Sequence, residues 1–378
     1  MKILKLILGM LMGAAVGFGV VMLIVWLVES GKEPSPEKVE EAMDWGKIAL
    51  SIGLSFVFLF LSIIVHTALH EAGHLIAGLV TGYTFLSYRL FRWMIVREGE
   101  KTYFKKFNIT GTMGQCILIP PTYSEDVPYF WFNAGGVIVN IMISAISIIV
   151  LRNFDLGMVG MSAWIMLAFV GIFMAAMNGF PYAFNGVSND GRNILQLYGS
   201  PERRKSFAIS LLGAAEQSRG TRLRDMPSEW FKNEPVKDPA DYFAVTDRLM
   251  YMSLQEDLGN YEGARLIAEE IESFGDSIPQ LFRMELGGEH VMLELLTTKR
   301  PEVIKTLWTK QLEAYTKNAS RFSASKLVFL YAYELLFKND EEAAQSYRSQ
   351  LMQKKDSFAN PGETKTALEL CNVIYSRK

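Results

Sequence analysis

Residues 48–80 read IALSIGLSFVFLFLSIIVHTALHEAGHLIAGLV. This stretch is apolar over a length sufficient to cross about 30 Å of hydrocarbon as a helix. Four ionisable residues interrupt it, namely His66, His70, Glu71 and His74. Ionisable side chains inside a membrane span are costly, and by default they mark a functional site. The stretch therefore predicts a membrane helix that carries chemistry.

The pattern His70-Glu71-Ala72-Gly73-His74 places two imidazoles one helical turn apart. Residues four apart on a helix lie on the same face, so both rings can bind one metal ion. Glu71 lies beside them, where its carboxylate can take a proton from water. A purely structural cluster of polar groups is the alternative interpretation.

A zinc site that hydrolyses substrates normally has a third protein ligand and an open position. His66 lies one further turn back, and three histidines at this spacing cover about 12 Å of helix, too far for one ion. We therefore expect His66 to pack against the site or support it. Asp190 is the better third ligand, because Pro181 ends the last apolar run and Gly and Asn residues then permit a tight return. A solvated loop aspartate is the alternative.

Four apolar runs are long enough to span a membrane, at about residues 3–28, 48–80, 130–151 and 158–177. The first has the charged start of a signal peptide, but its apolar part is too long and no small-residue cleavage site precedes Glu29. We expect an uncleaved anchor helix over residues 1–30. Basic residues recur on one side of the spans, which predicts a multi-pass protein with both termini cytoplasmic.

The composition agrees with a membrane protein that carries a soluble tail. Of the 378 residues, 50% are hydrophobic and 21% are charged, with a mean hydropathy of +0.15. The long apolar runs lie before about residue 180, which excludes both a fully soluble enzyme and a pure transporter-like bundle. Thirty-eight Lys and Arg nearly balance forty Asp and Glu, so no basic field indicates a nucleic-acid partner. Cys116 and Cys371 are too few for a disulfide framework.

The expected fold class is mainly α, a polytopic membrane helix bundle with a small extended segment that is associated with the membrane. The bundle forms a core over residues 45–195. Residues 84–120 supply the extended segment, because their aromatic and β-branched content is typical of strands.

A soluble helical domain is expected over residues 241–378, after a linker at 196–240. Three junctions around Asn260, Arg300 and Asn339 follow each other at steps of forty and thirty-nine residues. Each one follows an apolar helical pattern and opens another, as in tetratricopeptide-like helix pairs. This repeat-like domain is expected to bind a protein partner; a simple stabilising cap is the alternative.

The motif His70-Glu71-x-x-His74 in a membrane helix, followed by Asn178-x-x-Pro181 and Asp190-Gly191 after a later span, resembles the site-2 protease family of intramembrane zinc metalloproteases. The resemblance covers about residues 45–195. It implies one Zn²⁺ ion with His70, His74 and Asp190 as ligands and Glu71 as the catalytic base. The commoner family form has a shorter gap between the proline and the Asp-Gly pair.

Residues 134–140 (AGGVIVN) stand where that family has a Gly-Pro-rich motif with an asparagine, with Gly136 in place of the proline. By this resemblance, Asn140 and Asn178 are candidate catalytic residues that donate hydrogen bonds to a developing oxyanion or hold an unwound substrate. Polar contacts between helices are the alternative for both.

The expected function is hydrolysis of peptide bonds in or near transmembrane segments of regulatory or precursor proteins, in a bacterial cell membrane. The expected partners are such a membrane-protein or peptide substrate, the lipid bilayer, and a protein bound to the helical tail. A catalytically idle membrane adaptor with a structural metal is the second hypothesis. A metal transporter is disfavoured, because the spans carry no second relay of acidic or histidine residues.

Overall fold

The computed structural model describes residues 45–98, 101–106, 113–184, 187–278, 280–358 and 360–377, together with Gly19, Ile24 and Trp26. This described part is mainly helical, with thirteen α-helices and a small antiparallel sheet. Its contacts divide it into two compact units. The first unit takes the described residues up to Thr81, Phe130–Tyr182 and Asn189–Ile194, and the second takes those of Gly82–Tyr129, Ala183–Ser188 and Leu195–Lys378.

Among the described residues, three helices are long and apolar enough to cross a membrane: α1 (Trp45–Val80), α2 (Tyr129–Asn153) and α3 (Gly157–Gly179). They expose large apolar side chains, as lipid-facing helices do. This is consistent with a membrane protein, and it confirms helices of sufficient length and apolarity at three of the four predicted spans. The remaining prediction, a span at 3–28, lies outside the described residues apart from Gly19, Ile24 and Trp26.

The first two of these helices meet at a pair of glycines. Gly73 of α1 and Gly135 of α2 touch backbone to backbone, and a Cβ on either residue would overlap the other's carbonyl group. Small residues allow such close approach of membrane helices. The histidine-bearing face of α1 is thereby brought against α2, and α1 also packs along α3.

The second unit begins with a four-stranded antiparallel sheet in the order β3-β2-β1-β4. Its strands are β1 (Thr84–Leu90), β2 (Trp93–Glu98), β3 (Lys101–Lys106) and β4 (Gly114–Ile119). Leu86 and Leu118 are buried on one face of the sheet, and Val96 is buried on the other. The prediction of extended structure in this region is confirmed. A short ribbon of β5 (Ala183–Phe184) and β6 (Val187–Ser188) follows α3.

Ten further helices follow the ribbon. They are α4 (Asp190–Leu197), α5 (Pro201–Arg219), α6 (Tyr242–Asp257), α7 (Tyr261–Glu272), α8 (Gln280–Leu296), α9 (Pro301–Leu307), α10 (Lys310–Ala319), α11 (Ala324–Tyr333), α12 (Glu341–Lys354) and α13 (Pro361–Tyr375). An apolar core joins α8, α11, α12 and α13 through buried residues such as Leu295, Val328, Leu351 and Ile374.

The three predicted junctions all lie where one helix ends and another begins. Asn260 and Arg300 directly precede α7 and α9, and the side chain of Asn260 accepts a hydrogen bond from the Gly263 amide. Asn339 adopts a left-handed conformation before the α12 cap, Asp340. The helices between junctions differ in number, since α10 has no counterpart in the preceding interval. The repeat-like domain therefore stays a prediction.

Residues 196–240, predicted as a linker, contain the nineteen-residue helix α5. Ser200 caps its start through the Arg203 amide, Pro201 is its first residue, and Gly220 ends it in a left-handed conformation. The helix packs against β4 and α13. The signals for both ends of this helix are present in the sequence.

Candidate metal centre

Three potential metal ligands converge in the first unit. His70 and His74 lie on α1, and Asp190 is the first residue of α4. The two Nε2 atoms are 3.1 Å apart, and Oδ2 of Asp190 lies 3.1 Å from Nε2 of His70 and 3.5 Å from Nε2 of His74. Ligand atoms about 2.1 Å from a tetrahedral zinc ion lie about 3.4 Å from one another. The spacing therefore fits three ligands of a single ion.

The ring of His74 is oriented by the main chain of α2. Its Nδ1 lies 2.7 Å from the carbonyl oxygen of Phe132. A carbonyl only accepts hydrogen bonds, so Nδ1 carries the proton and donates it. In a neutral ring, Nε2 then keeps its lone pair, and this is the atom that faces Asp190.

The ring of His70 is oriented by a chain of buried polar groups. The Asn140 amide lies between two rings, 3.0 Å from Nδ1 of His66 and 3.1 Å from Nδ1 of His70. Nε2 of His66 lies 2.8 Å from the carbonyl oxygen of Leu167 and must donate to it. The structure places Oδ1 of Asn140 toward His66 and Nδ2 toward His70, and with Oδ1 there the His66 ring would need protons on both nitrogens and would be a buried cation.

The opposite amide orientation keeps both rings neutral, and hydrogen-bonding partners decide such an orientation. The amide nitrogen of Asn140 then donates to Nδ1 of His66, and its oxygen accepts from Nδ1 of His70. A buried charge in a membrane span costs several kcal/mol, so we favour this arrangement. In this arrangement, Nε2 of His70 keeps its lone pair, as Nε2 of His74 does, and both nitrogens face Oδ2 of Asp190.

With both rings neutral, the site brings together three hydrogen-bond acceptors and no proton to share. Two imidazole lone pairs and a carboxylate oxygen lie within 3.5 Å of one another. No hydrogen-bond donor among the described residues satisfies Oδ2 of Asp190, which is shielded from solvent. Buried polar atoms are almost always satisfied, and acceptors at this distance repel unless a cation lies between them. The chemistry of the donor set fits a metal ion.

Asp190 is held in place by the residue before it. The side-chain oxygen of Asn189 accepts from the Arg192 amide at 2.9 Å and so caps α4. Its side-chain nitrogen donates to the carbonyl oxygens of Met177 and Phe180, at 2.7 and 2.6 Å. Asn189 thus ties the end of α3 to the start of α4 and fixes the direction of the Asp190 side chain.

The other predicted site residues have different surroundings. Asn178 lies near the end of α3, and its side-chain nitrogen donates to the Met174 carbonyl of the same helix, at 2.9 Å. The carbonyl of Gly179 packs onto Gly191, where a Cβ would not fit. Glu71 is half-buried on α1 and lies within electrostatic reach of His74. The structure thus brings His70, His74, Asp190 and Asn140 together and places Asn178 in a contact with its own helix.

Replacing Asn140 by alanine is expected to lower the zinc affinity of the purified protein by about 10- to 100-fold, the usual cost of losing a group that orients a histidine ligand. His66→Ala should act in the same direction through Asn140. Competition with a chromogenic chelator measures the affinity. Asn178→Ala is the matched control and should bind zinc as the wild type does. Equal affinities for wild type and Asn140→Ala would show that the amide does not orient His70.

Gly136→Ala is expected to disturb the centre by steric conflict. A Cβ at this position would lie 2.5–2.7 Å from the ring atoms of His70. Overpacking of this kind typically costs 1–3 kcal/mol, and here it also displaces a ligand. We expect a lower thermal midpoint in detergent and a lower zinc content. Gly53→Ala on α1 is the control, because a Cβ there meets no atom within 4 Å; equal losses in both variants would refute the steric explanation.

A second group of potential ligands, Glu269, His290 and Glu294, lies in the helical part of the second unit. Here guanidinium groups already neutralise the carboxylates. Arg265 lies 2.7 Å from Glu269, and Arg300 contacts both Glu269 and Glu294. Two arginines beside the same carboxylates would repel a divalent cation. We interpret this group as an ion-pair network that joins α7, α8 and the start of α9.

This network predicts a loss of stability in acid. Burial would raise the pKa of Glu294, but hydrogen bonds from Arg300 and Thr298 outweigh it and lower the pKa to about 2. The stabilisation is complete above the unfolded pKa of about 4.3 and is lost as the pH falls toward 2. With Arg300 partly exposed, it amounts to on the order of 2 kcal/mol at pH 7. Thermal midpoints between pH 6 and pH 3 should fall less steeply for Glu294→Gln than for wild type or the exposed-site control Glu302→Gln. Parallel curves would contradict the assignment.

No family model, curated protein or solved structure matches this chain. The centre formed by His70, His74 and Asp190 must therefore be interpreted from its own geometry. Sequence reasoning expected His66 to support the site but did not identify its contacts with Asn140 and Leu167, and it missed the capping role of Asn189. An asparagine directly before Asp190-Gly191 is a local signal for the start of a helix, so the capping role of Asn189 could have been found from the sequence.

Proposed function

We propose that this protein is an intramembrane zinc metalloprotease of the site-2 protease type. The observation that supports this most strongly is the convergence of three acceptor atoms, from His70, His74 and Asp190, within 3.5 Å of one another. Two imidazoles and one carboxylate form a donor set that suits zinc. Both histidines belong to a helix that is long and apolar enough to cross a membrane.

The number of ligands favours a catalytic site over a structural one. Structural zinc sites usually have four protein ligands, whereas catalytic sites have three and keep one position open. Among the residues that the structure describes, the group at this centre has three members. This argues against the alternative of an idle adaptor with a structural metal.

A zinc ion at this position would make water more acidic and polarise a scissile carbonyl group. The chain itself supplies the acid–base chemistry and the positioning. Glu71, next to His70 on α1, takes the proton of the attacking water and later gives it to the leaving amine. Asn140 and His66 hold His70 in the tautomer that presents Nε2, and Phe132 does the same for His74.

The proposed substrates are membrane-bound regulatory or precursor proteins that are cut in or near a transmembrane segment. A helical segment must unwind locally first, because its backbone hydrogen bonds protect each peptide bond. We place the protein in a bacterial cell membrane with both termini cytoplasmic, as the distribution of basic residues indicates. The helical domain would then be a cytoplasmic surface for a protein partner.

A comparison of membrane proteomes tests this function. Cells that produce wild type, Glu71→Gln or Asp155→Asn at equal levels are analysed for changes in the length of membrane proteins. Asp155 is an exposed acidic residue between α2 and α3 and serves as the control. We expect an uncut precursor to accumulate only with Glu71→Gln. Identical protein lengths in all three strains would count against proteolysis.

A further inference from the structure

The second unit contains a partly open cavity of about 640 Å³. Small-molecule sites occupy about 300–1,000 Å³ and are mostly apolar, with a few polar groups that fix the ligand. This cavity has that character, since apolar side chains from three helices line much of it, including Met252, Leu286 and Val328. It lies among α6, α8, α11 and α13 and involves residues of the second unit alone.

One wall of the cavity has more carboxyl groups than cations. Glu256 of α6 and Glu285 and Glu289 of α8 line this wall. The buried Lys326 of α11 pairs with the two α8 carboxylates, at 2.7 and 2.8 Å. Three carboxyl groups therefore face one ammonium, and Glu256 is the one without an ion-pair partner among the described residues.

Glu256 is also left unsatisfied. Its Oε1 atom is shielded from solvent, and no hydrogen-bond partner among the described residues reaches it. Burial, together with the nearby charge of Glu289, holds the pKa of Glu256 well above its ordinary value. Leaving a buried carboxyl group unsatisfied is unfavourable, so a cation that reached it would be favoured.

Two other cations line the cavity, Arg222 and Arg224, but they do not neutralise this wall because they are already paired. Arg222 lies 2.5 Å from Asp257, and Arg224 lies 2.6 Å from Glu369. Hydrogen bonds from Arg222 and Arg224 outweigh burial and lower the pKa of Asp257. Both arginines are thus neutralised by their own carboxylate partners. The unbalanced charge that a ligand meets is the negative charge of the acidic wall.

We propose that this cavity binds a small organic cation, an ammonium group on an apolar body, with the ammonium beside Glu256. The apolar body would cover Met252, Leu286 and Val328, and the ammonium would supply the donor that Glu256 lacks. Glu285 and Glu289 against Lys326 leave one net negative charge, which would repel a carboxylate ligand. An ammonium beside Glu256 would favour its ionised form, and a neutral alcohol would bring no counter-charge. The proposal does not depend on the metal centre.

Calorimetric titration of the full-length protein in detergent tests the proposal, with heats of partitioning into detergent subtracted. The probes are 4-phenylbutylammonium, 4-phenylbutanol and 4-phenylbutanoate, which share one apolar body and differ in charge. We expect the ammonium to bind at least tenfold more tightly than either of the others. Glu256→Gln should weaken the ammonium at least tenfold, whereas Glu302→Gln, at an exposed site on α9, should leave it unchanged.

Two results would overturn the proposal. One is an alcohol or carboxylate that binds as tightly as the ammonium, and the other is a folded Glu256→Gln protein that binds the ammonium as the wild type does. The ligand series uses the wild type alone, so it remains decisive even if Glu256→Gln fails to fold.

Discussion

Glu71→Gln is expected to lower the turnover of a membrane-peptide substrate by about 10²- to 10⁴-fold, the usual contribution of a positioned general base. The amide has nearly the shape of the carboxylate but cannot accept a proton from water. Glu71 is not one of the three converging ligands, so the zinc content should stay at the wild-type level. Turnover is measured with the substrate that accumulates in Glu71→Gln cells, and zinc by mass spectrometry.

The combination of these two readouts separates catalysis from folding. Asp155→Asn, an acid-to-amide change at an exposed site, should retain both activity and metal. A Glu71→Gln protein that keeps its zinc and also cleaves at the wild-type rate would remove Glu71 from the mechanism. A variant that loses its zinc would instead show that Glu71 helps to hold the metal.

Asp190→Ala is expected to have the second large effect, on zinc affinity. The substitution removes one of three ligands, so we expect a loss greater than the 10- to 100-fold cost of removing a supporting residue such as Asn140. Activity should fall in parallel, because less of the protein carries metal. Asp155→Ala is the matched control. Wild-type affinity in Asp190→Ala would mean that the carboxylate does not bind the ion.

The sequence predicts the parts of this site that depend on local spacing. His70 and His74 are four residues apart, and a helix must place them on one face whatever surrounds it. The three apolar helices follow from length and hydropathy alone. Strand content at residues 84–120 was visible in the same way, because side-chain type is a local property.

The parts that depend on tertiary contacts could not be predicted from local spacing. Asn140 reaches His66 and His70 across seventy-four and seventy residues, and this contact exists only because Gly73 and Gly135 let α1 and α2 approach closely. The direction of Asp190 depends on hydrogen bonds from Asn189 to the end of α3. The family resemblance pointed to Asp190, but only the fold supplies the distances.

In the helical tail, too, local features could be predicted from the sequence and tertiary contacts could not. The caps at Asn260 and Asp340 are local signals. No local signal marks the unsatisfied carboxyl group of Glu256, because its lack of a partner depends on how α6, α8 and α11 are placed around the cavity. A cavity of this kind can be found only from coordinates.

X-ray absorption at the zinc edge of the purified wild-type protein tests the central claim most directly. We predict about one zinc per chain with nitrogen and oxygen neighbours at about 2.0–2.1 Å, multiple-scattering features of two imidazoles, and no sulfur neighbour. Absence of bound metal after purification in zinc-containing buffer, or zinc coordinated by sulfur at about 2.3 Å, would contradict the account.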